Sequence, residues 1–120
     1  MPATIKTTLN RWFDADMQVL RPDLVLKARD WLLNADPVVH AWSWQAIGGL
    51  NYVEQLSATK IPCMAIAGLR DQSTPVAAMQ DLAASIPNCA YVEMDTGHLA
   101  PLEKPAEFAG HIRAFLHSLS

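Results

Sequence analysis

The stretch from Ile61 to His98, IPCMAIAGLRDQSTPVAAMQDLAASIPNCAYVEMDTGH, narrows the fold more than any other part of the chain. It reads as strand, acidic turn, helix, strand, histidine turn. Pro62 to Gly68 is a short, continuously apolar run, the pattern of a strand covered on both faces in a parallel sheet, and Gly68 ends it. Thr74-Pro75 starts a helix with Thr74 as its cap, and Val76, Met79, Leu82, Ala83 and Ile86 give that helix one apolar face. Pro87-Asn88 closes it, Ala90 to Met94 is the second strand, and Asp95 to His98 is the turn beyond. A right-handed crossover makes the two strands parallel, so the turns carrying Asp71 and His98 leave the sheet at the same edge. Open α/β folds place their chemistry there.

Upstream of Lys60 every signal is helical. A first helix covers Ile5 to Phe13, with Leu9, Trp12 and Phe13 on one face. A second begins at Pro22, where a missing N–H costs nothing, and carries Leu24, Val25, Ala28, Trp31 and Leu32 at the 3.6-residue period. Asp36-Pro37 starts a third, with the Asp36 carboxylate as cap. Its expected buried stripe is Val38, Val39, Trp42, Ala46 and Ile47, and Gly48-Gly49 stops it. A short fourth helix, Leu50 to Leu56, leads out to Lys60. At the other end of the chain a helix starting near Pro105 has Phe108, Ile112, Phe115, Leu116 and Leu119 as its stripe, with His111 and His117 off it, facing solvent.

Four tryptophans fall at 12, 31, 42 and 44. Aromatic residues at helical spacing are packing residues first, so the core is their expected place. Trp42 and Trp44, two positions apart, cannot share a helix face. One of them points away from the core, and that one is the better candidate for a pocket or an interface.

A chain of 120 residues holds one domain or part of a larger one. Half of its residues are hydrophobic and 18% are charged, so it is globular rather than disordered. The nine Lys and Arg residues are scattered, and the net charge is −3, which argues against a nucleic-acid partner. No apolar run has the length of a bilayer span, and MPATIKTTLNRWF lacks the basic segment and apolar block of a signal peptide. The expected location is the cytoplasm. Cys63 and Cys89 have no metal-type spacing and read as small buried hydrophobes. His40, His98, His111 and His117 form no ligand cluster, so neither a metal nor a cofactor is expected.

Side chains just past the ends of adjacent parallel strands, about 4.8 Å apart, come within hydrogen-bonding reach. A carboxylate that accepts a bond from one imidazole nitrogen fixes the tautomer and leaves the other nitrogen as a general base. Spacing alone leaves two readings of this pair open. Asp71 and His98 are such an acid–base pair, or Asp71 is an Asx-type turn residue and His98 a loop histidine bonded to backbone. A base also needs a nucleophile, and none of the serines at 43, 57, 73, 85, 118 and 120 sits in G-x-S-x-G, the elbow that lifts a nucleophile above a sheet.

IPCMAIAGLRDQSTP followed by YVEMDTGHLAPLEKPAEF resembles the C-terminal third of the α/β-hydrolase fold, its last two strands and last two helices. The G-x-x-D turn with T-P after it and the G-H-x-x-P-x-E-x-P segment carry the resemblance. It implies a partial α/β-hydrolase fold, with residues 1–60 as an all-helical cap and residues 61–120 as the C-terminal β-α-β-α part of the core. Asp71 would be the triad acid and His98 the triad base, and Trp42, Trp44 and Leu99 would be pocket walls. TTLNRWF and the ADP before the third helix look more narrowly like the caps of 3-oxoadipate enol-lactonases, which implies a small ester or lactone as substrate.

In that family five or more strands carrying the nucleophile and both oxyanion-hole donors come before the cap. Those groups supply much of the rate in acyl transfer, so these 120 residues alone are expected to have little or no hydrolase activity. An apolar strand at 62–68 with one open edge invites pairing, so a homo-oligomer or a complementing chain is expected. The competing reading is a non-catalytic module that oligomerises or binds a partner.

Overall fold

Three helices of the N-terminal half start where a side chain or a proline settles the first turn. The computed structural model describes residues 2–120. Helix α1 (Pro2–Trp12) is followed by α2 (Ala15–Leu20), α3 (Pro22–Asn34), α4 (Pro37–Gly48) and α5 (Val53–Leu56). Asp14 caps α2 by accepting the Met17 N–H at 2.7 Å, and Pro22 opens α3 at a position that has no N–H to satisfy. Asp36 accepts the Val38 and Val39 N–H groups at 2.8 and 3.2 Å, the cap expected for α4. Sequence reading missed α2 because six residues with none buried leave no periodic stripe.

Strand β1 (Met64–Gly68), helix α6 (Val76–Ser85), strand β2 (Ala90–Met94), helix α7 (Ala100–Glu103) and helix α8 (Pro105–His117) complete the order. The strands pair in parallel with Met64 opposite Ala90 and Gly68 opposite Met94, so both end at the same level. The turns after Gly68 and Met94 therefore emerge side by side. The four-residue α7 was also unforeseen, since it lies in the turn segment between His98 and Pro105 and has no stripe of its own.

The core joins the N-terminal helices to the segment that follows His98. Ile5, Leu9 and Phe13 pack with Leu24 and Ala28 of α3, and Leu99 and Leu102 pack against that cluster. Several expected stripes are not buried. On α3 only Leu24 and Ala28 are, while Trp31 stays half exposed. Every residue of α4 except His40 is exposed, with Trp42 at 63% and Trp44 at 52%, because its apolar residues run round all sides instead of forming one stripe. The expectation that the tryptophans are core residues fails at 31, 42 and 44. Leu82 of α6 and Leu116 and Leu119 at the C-terminus are likewise exposed, and Cys63 and Cys89 are half-buried free thiols rather than buried ones. The radius of gyration, 16.0 Å, exceeds the about 14 Å of a compact domain of this length. A short two-stranded sheet covers too little area to bury every apolar helix face.

Candidate active site

Backbone bonds lock the turns after β1 and β2 together before any side chain is considered. The Leu69 N–H donates to Met94 O at 2.8 Å, and the Arg70 N–H donates to Thr96 O at 2.9 Å. Gly68 is needed for this approach: a Cβ there would stand 2.5 Å from Gly97 O and 2.7 Å from Thr96 O. Asp71, the next residue but two, is buried.

The Asp71 carboxylate is fully engaged. One oxygen accepts the Ser73 and Thr74 N–H groups at 2.7 and 3.1 Å. The other accepts the Thr74 hydroxyl and meets His98 Nδ1 at 2.8 Å. Asp71 thus closes an Asx-type turn with one oxygen and holds the imidazole with the other. Burial pushes its carboxyl up, but the bonds from Thr74, His98 and the two backbone N–H groups outweigh burial and leave it below the ordinary aspartate value. Thr74 is not the helix cap expected of it. Its side chain is spent on Asp71, and Pro75 occupies the cap position of α6 with no side-chain bond.

His98 is held from three sides. Its N–H donates to Trp12 O at 3.1 Å, and its ring stacks on the Trp12 indole with centroids 5.9 Å apart and planes 23° apart. With Nδ1 occupied by Asp71, Nε2 is the nitrogen left to take up a proton. His98 lines a cavity of about 480 Å³ together with Trp12, Trp44, Ile47, Ser73 and Thr74. Ser73 makes no hydrogen bond with His98 among the described residues. Trp44 is the tryptophan of α4 that reaches the cavity, and its indole N–H is fixed by donating to His40 Nε2 at 2.9 Å. Trp42 is not among the residues lining the cavity, and Leu99 packs against the α1–α3 core.

A charged network lies behind the pair. Arg70 contacts Asp14 and Asp95, and its Nη2 lies 3.5 Å from Glu103 Oε2. The Glu103 side chain is 2% exposed, and its Oε1 accepts the Gly97 N–H at 3.0 Å. Burial raises this carboxyl above the ordinary glutamate value, against the Gly97 N–H and Arg70, which pull it down. No group of His, Cys, Asp and Glu among the described residues could hold a metal ion.

No family model matches the sequence. The 3-oxoadipate enol-lactonase 2 of Acinetobacter baylyi is 26% identical over 111 residues, covering 92% of this chain and 42% of that protein. Among solved structures, the enol-lactonase from Burkholderia xenovorans LB400 superposes with a TM-score of 0.92 at 28% identity, over 98% of this chain and 45% of that one. A hydrolase from Pseudomonas aeruginosa PA01 gives 0.90 at 28% identity, over 97% and 44%. The chain carries a partial α/β-hydrolase fold. It spans less than half the length of the relatives it matches.

Within this α/β-hydrolase unit, sequence reasoning missed four residues around Asp71 and His98: Trp12, Arg70, Thr74 and Glu103. Two signals were present. Arg70 directly precedes Asp71, and Glu103 is the acidic residue of G-H-x-x-P-x-E-x-P, the segment that carries His98.

Proposed function

We propose that the chain supplies the acid–base pair and the lid of a carboxylic-ester or lactone hydrolase, and that a segment carrying the nucleophile completes it. The observation that carries this reading is the 2.8 Å bond between Asp71 Oδ2 and His98 Nδ1, in turns at the ends of adjacent parallel strands. Asp71 orients the ring and stabilises the imidazolium. His98 Nε2 takes the proton of the nucleophile's hydroxyl as that oxygen bonds to the substrate carbonyl carbon. It then returns the proton to the leaving alkoxide oxygen as the C–O bond breaks. Water repeats the sequence on the acyl-enzyme, releasing the acid. Residues 1–60 form the lid, and Trp44 and Trp12 wall the acyl pocket.

The chain contains no G-x-S-x-G, so the 120 residues alone have little or no turnover in this reading. The completing segment supplies the missing strands along the open edge of the two-stranded sheet. The test is co-expression with the part of the Burkholderia enol-lactonase that this chain does not cover, followed by an assay with p-nitrophenyl acetate. Turnover that His98→Ala abolishes is the expected result, and no turnover from the assembled pair overturns the proposal.

A second reading, a non-catalytic module that oligomerises or binds a partner, draws on the exposed apolar surface of α4 and the same missing elbow. Ester turnover by the purified 120-residue chain, lost on His98→Ala, would refute it.

A further inference from the structure

We infer that Glu103 is a positioning residue for the Asp71–His98 pair, holding the two turns together at the residue immediately before each member. Gly97 precedes His98, and its N–H donates to Glu103 Oε1 at 3.0 Å. Arg70 precedes Asp71, and its guanidinium reaches Glu103 Oε2 at 3.5 Å. One carboxylate thus touches both turns, one oxygen to each. The same two turns are joined through the backbone by the Arg70 N–H on Thr96 O, so Glu103 adds a second cross-link through a side chain.

The surroundings leave Glu103 little freedom to do anything else. Its side chain is 2% exposed and does not line the cavity of about 480 Å³, so it is no contact for a substrate there. A buried carboxylate is costly unless its oxygens are paired, and here its partners are the Gly97 N–H and Arg70. Gly97 fits the site tightly: a Cβ would meet Trp12 O at 2.5 Å and Glu103 Oε1 at 2.9 Å. The turn is therefore gripped between Trp12 and Glu103, and His98 follows directly. Displacing a base by about 1 Å can cost a hundredfold in rate, so a group that fixes the preceding peptide acts on the base without touching it. The acceptor oxygen on Gly97 N–H is the working part of Glu103.

This role rests on Asp71–His98 being the working pair, but its test reads the imidazole directly and needs no turnover. NMR of the ¹⁵N-labelled 120-residue chain reports the Nδ1–H proton of His98, assigned by its loss in His98→Gln. Wild type shows that proton. Glu103→Met keeps the bulk, removes the acceptor and loses the proton signal, while the amide spectrum stays dispersed. Glu103→Gln keeps an acceptor for Gly97, since Arg70 retains Asp14 and Asp95, and preserves the signal.

A folded Glu103→Met protein that retains the Nδ1–H signal overturns the inference. So does a Glu103→Gln protein that loses it, or a wild-type chain that lacks it. If Glu103→Met does not fold, the Glu103→Gln result decides alone. An Nδ1–H signal that responds to Glu103 in a completed protein with no turnover would sink the hydrolase reading and leave the positioning role standing.

Discussion

Trp12 holds His98 twice: its carbonyl accepts the His98 N–H at 3.1 Å, and its indole lies against the imidazole with centroids 5.9 Å apart. The N-terminal helix thereby reaches a residue 86 positions further along the chain. Trp12→Ala keeps the carbonyl and removes the ring. Lost burial and lost stacking together predict a stability decrease of about 2 kcal/mol in urea unfolding. In the completed enzyme kcat falls about tenfold, because the ring that restrains the base is gone. Trp12→Phe restores most of both.

Asp71→Asn has a larger effect on activity and a distinct pH signature. The amide cannot hold His98 in the tautomer the carboxylate selects, so esterase kcat in the completed enzyme drops by about 10³–10⁴-fold. Asp71 sits below the ordinary aspartate value in the folded protein despite its burial. Its contribution to stability is therefore complete above the ordinary value and lost as pH falls through the lowered native value. Urea midpoints measured downward from neutral pH show that acid loss in wild type, and the Asp71→Asn protein shows a shallower one.

The parallel strand pair was legible because it depends on local signals: two short apolar runs and one crossover helix. A turn residue after each strand put Asp71 and His98 at one edge of the sheet, but spacing left open whether they meet, and only the family resemblance spoke for the pair. The partners behind the pair were not legible. Thr74 before a proline looks the same whether it caps a helix or donates to Asp71, and only the fold of the turn decides. Glu103 and Arg70 are separated by 33 residues, and nothing in spacing says that a charged residue in a turn will be buried against another. Helix α4 marks a different limit. Composition shows that its residues are apolar, but periodicity can name a buried face only where one exists, and Val38, Val39, Trp42, Trp44 and Ile47 encircle the helix.

Glu103 gives stability a pH dependence of the opposite sign to Asp71. Burial holds its carboxyl above the ordinary glutamate value, so the native state binds this proton more tightly than the unfolded chain does. Stability is fully present below the ordinary value and declines as pH rises through the raised native value. Glu103→Gln removes that decline. Urea midpoints of the two proteins, compared across the window from the ordinary glutamate value upward, should diverge with rising pH in favour of the variant. Parallel curves would show that Glu103 titrates alike in both states.

Two glycine-to-alanine substitutions separate a packed position from an open one. At Gly97 a new Cβ lies 2.5 Å from Trp12 O, a backbone atom that cannot swing aside, and 2.9 Å from Glu103 Oε1. The turn must shift, and overpacking of this kind costs about 1–3 kcal/mol. Because the shift falls on the residue before His98, Gly97→Ala also disturbs the bond to Asp71, and the His98 Nδ1–H signal weakens with the loss of stability. Gly110, inside α8, has nothing within 4 Å of its added Cβ. There the gain in helix propensity stands alone, and Gly110→Ala raises stability by about 0.5–1 kcal/mol with the His98 signal unchanged. Urea unfolding of both variants, with the imidazole proton followed in each, distinguishes strain at the Gly97 turn from a general intolerance of alanine.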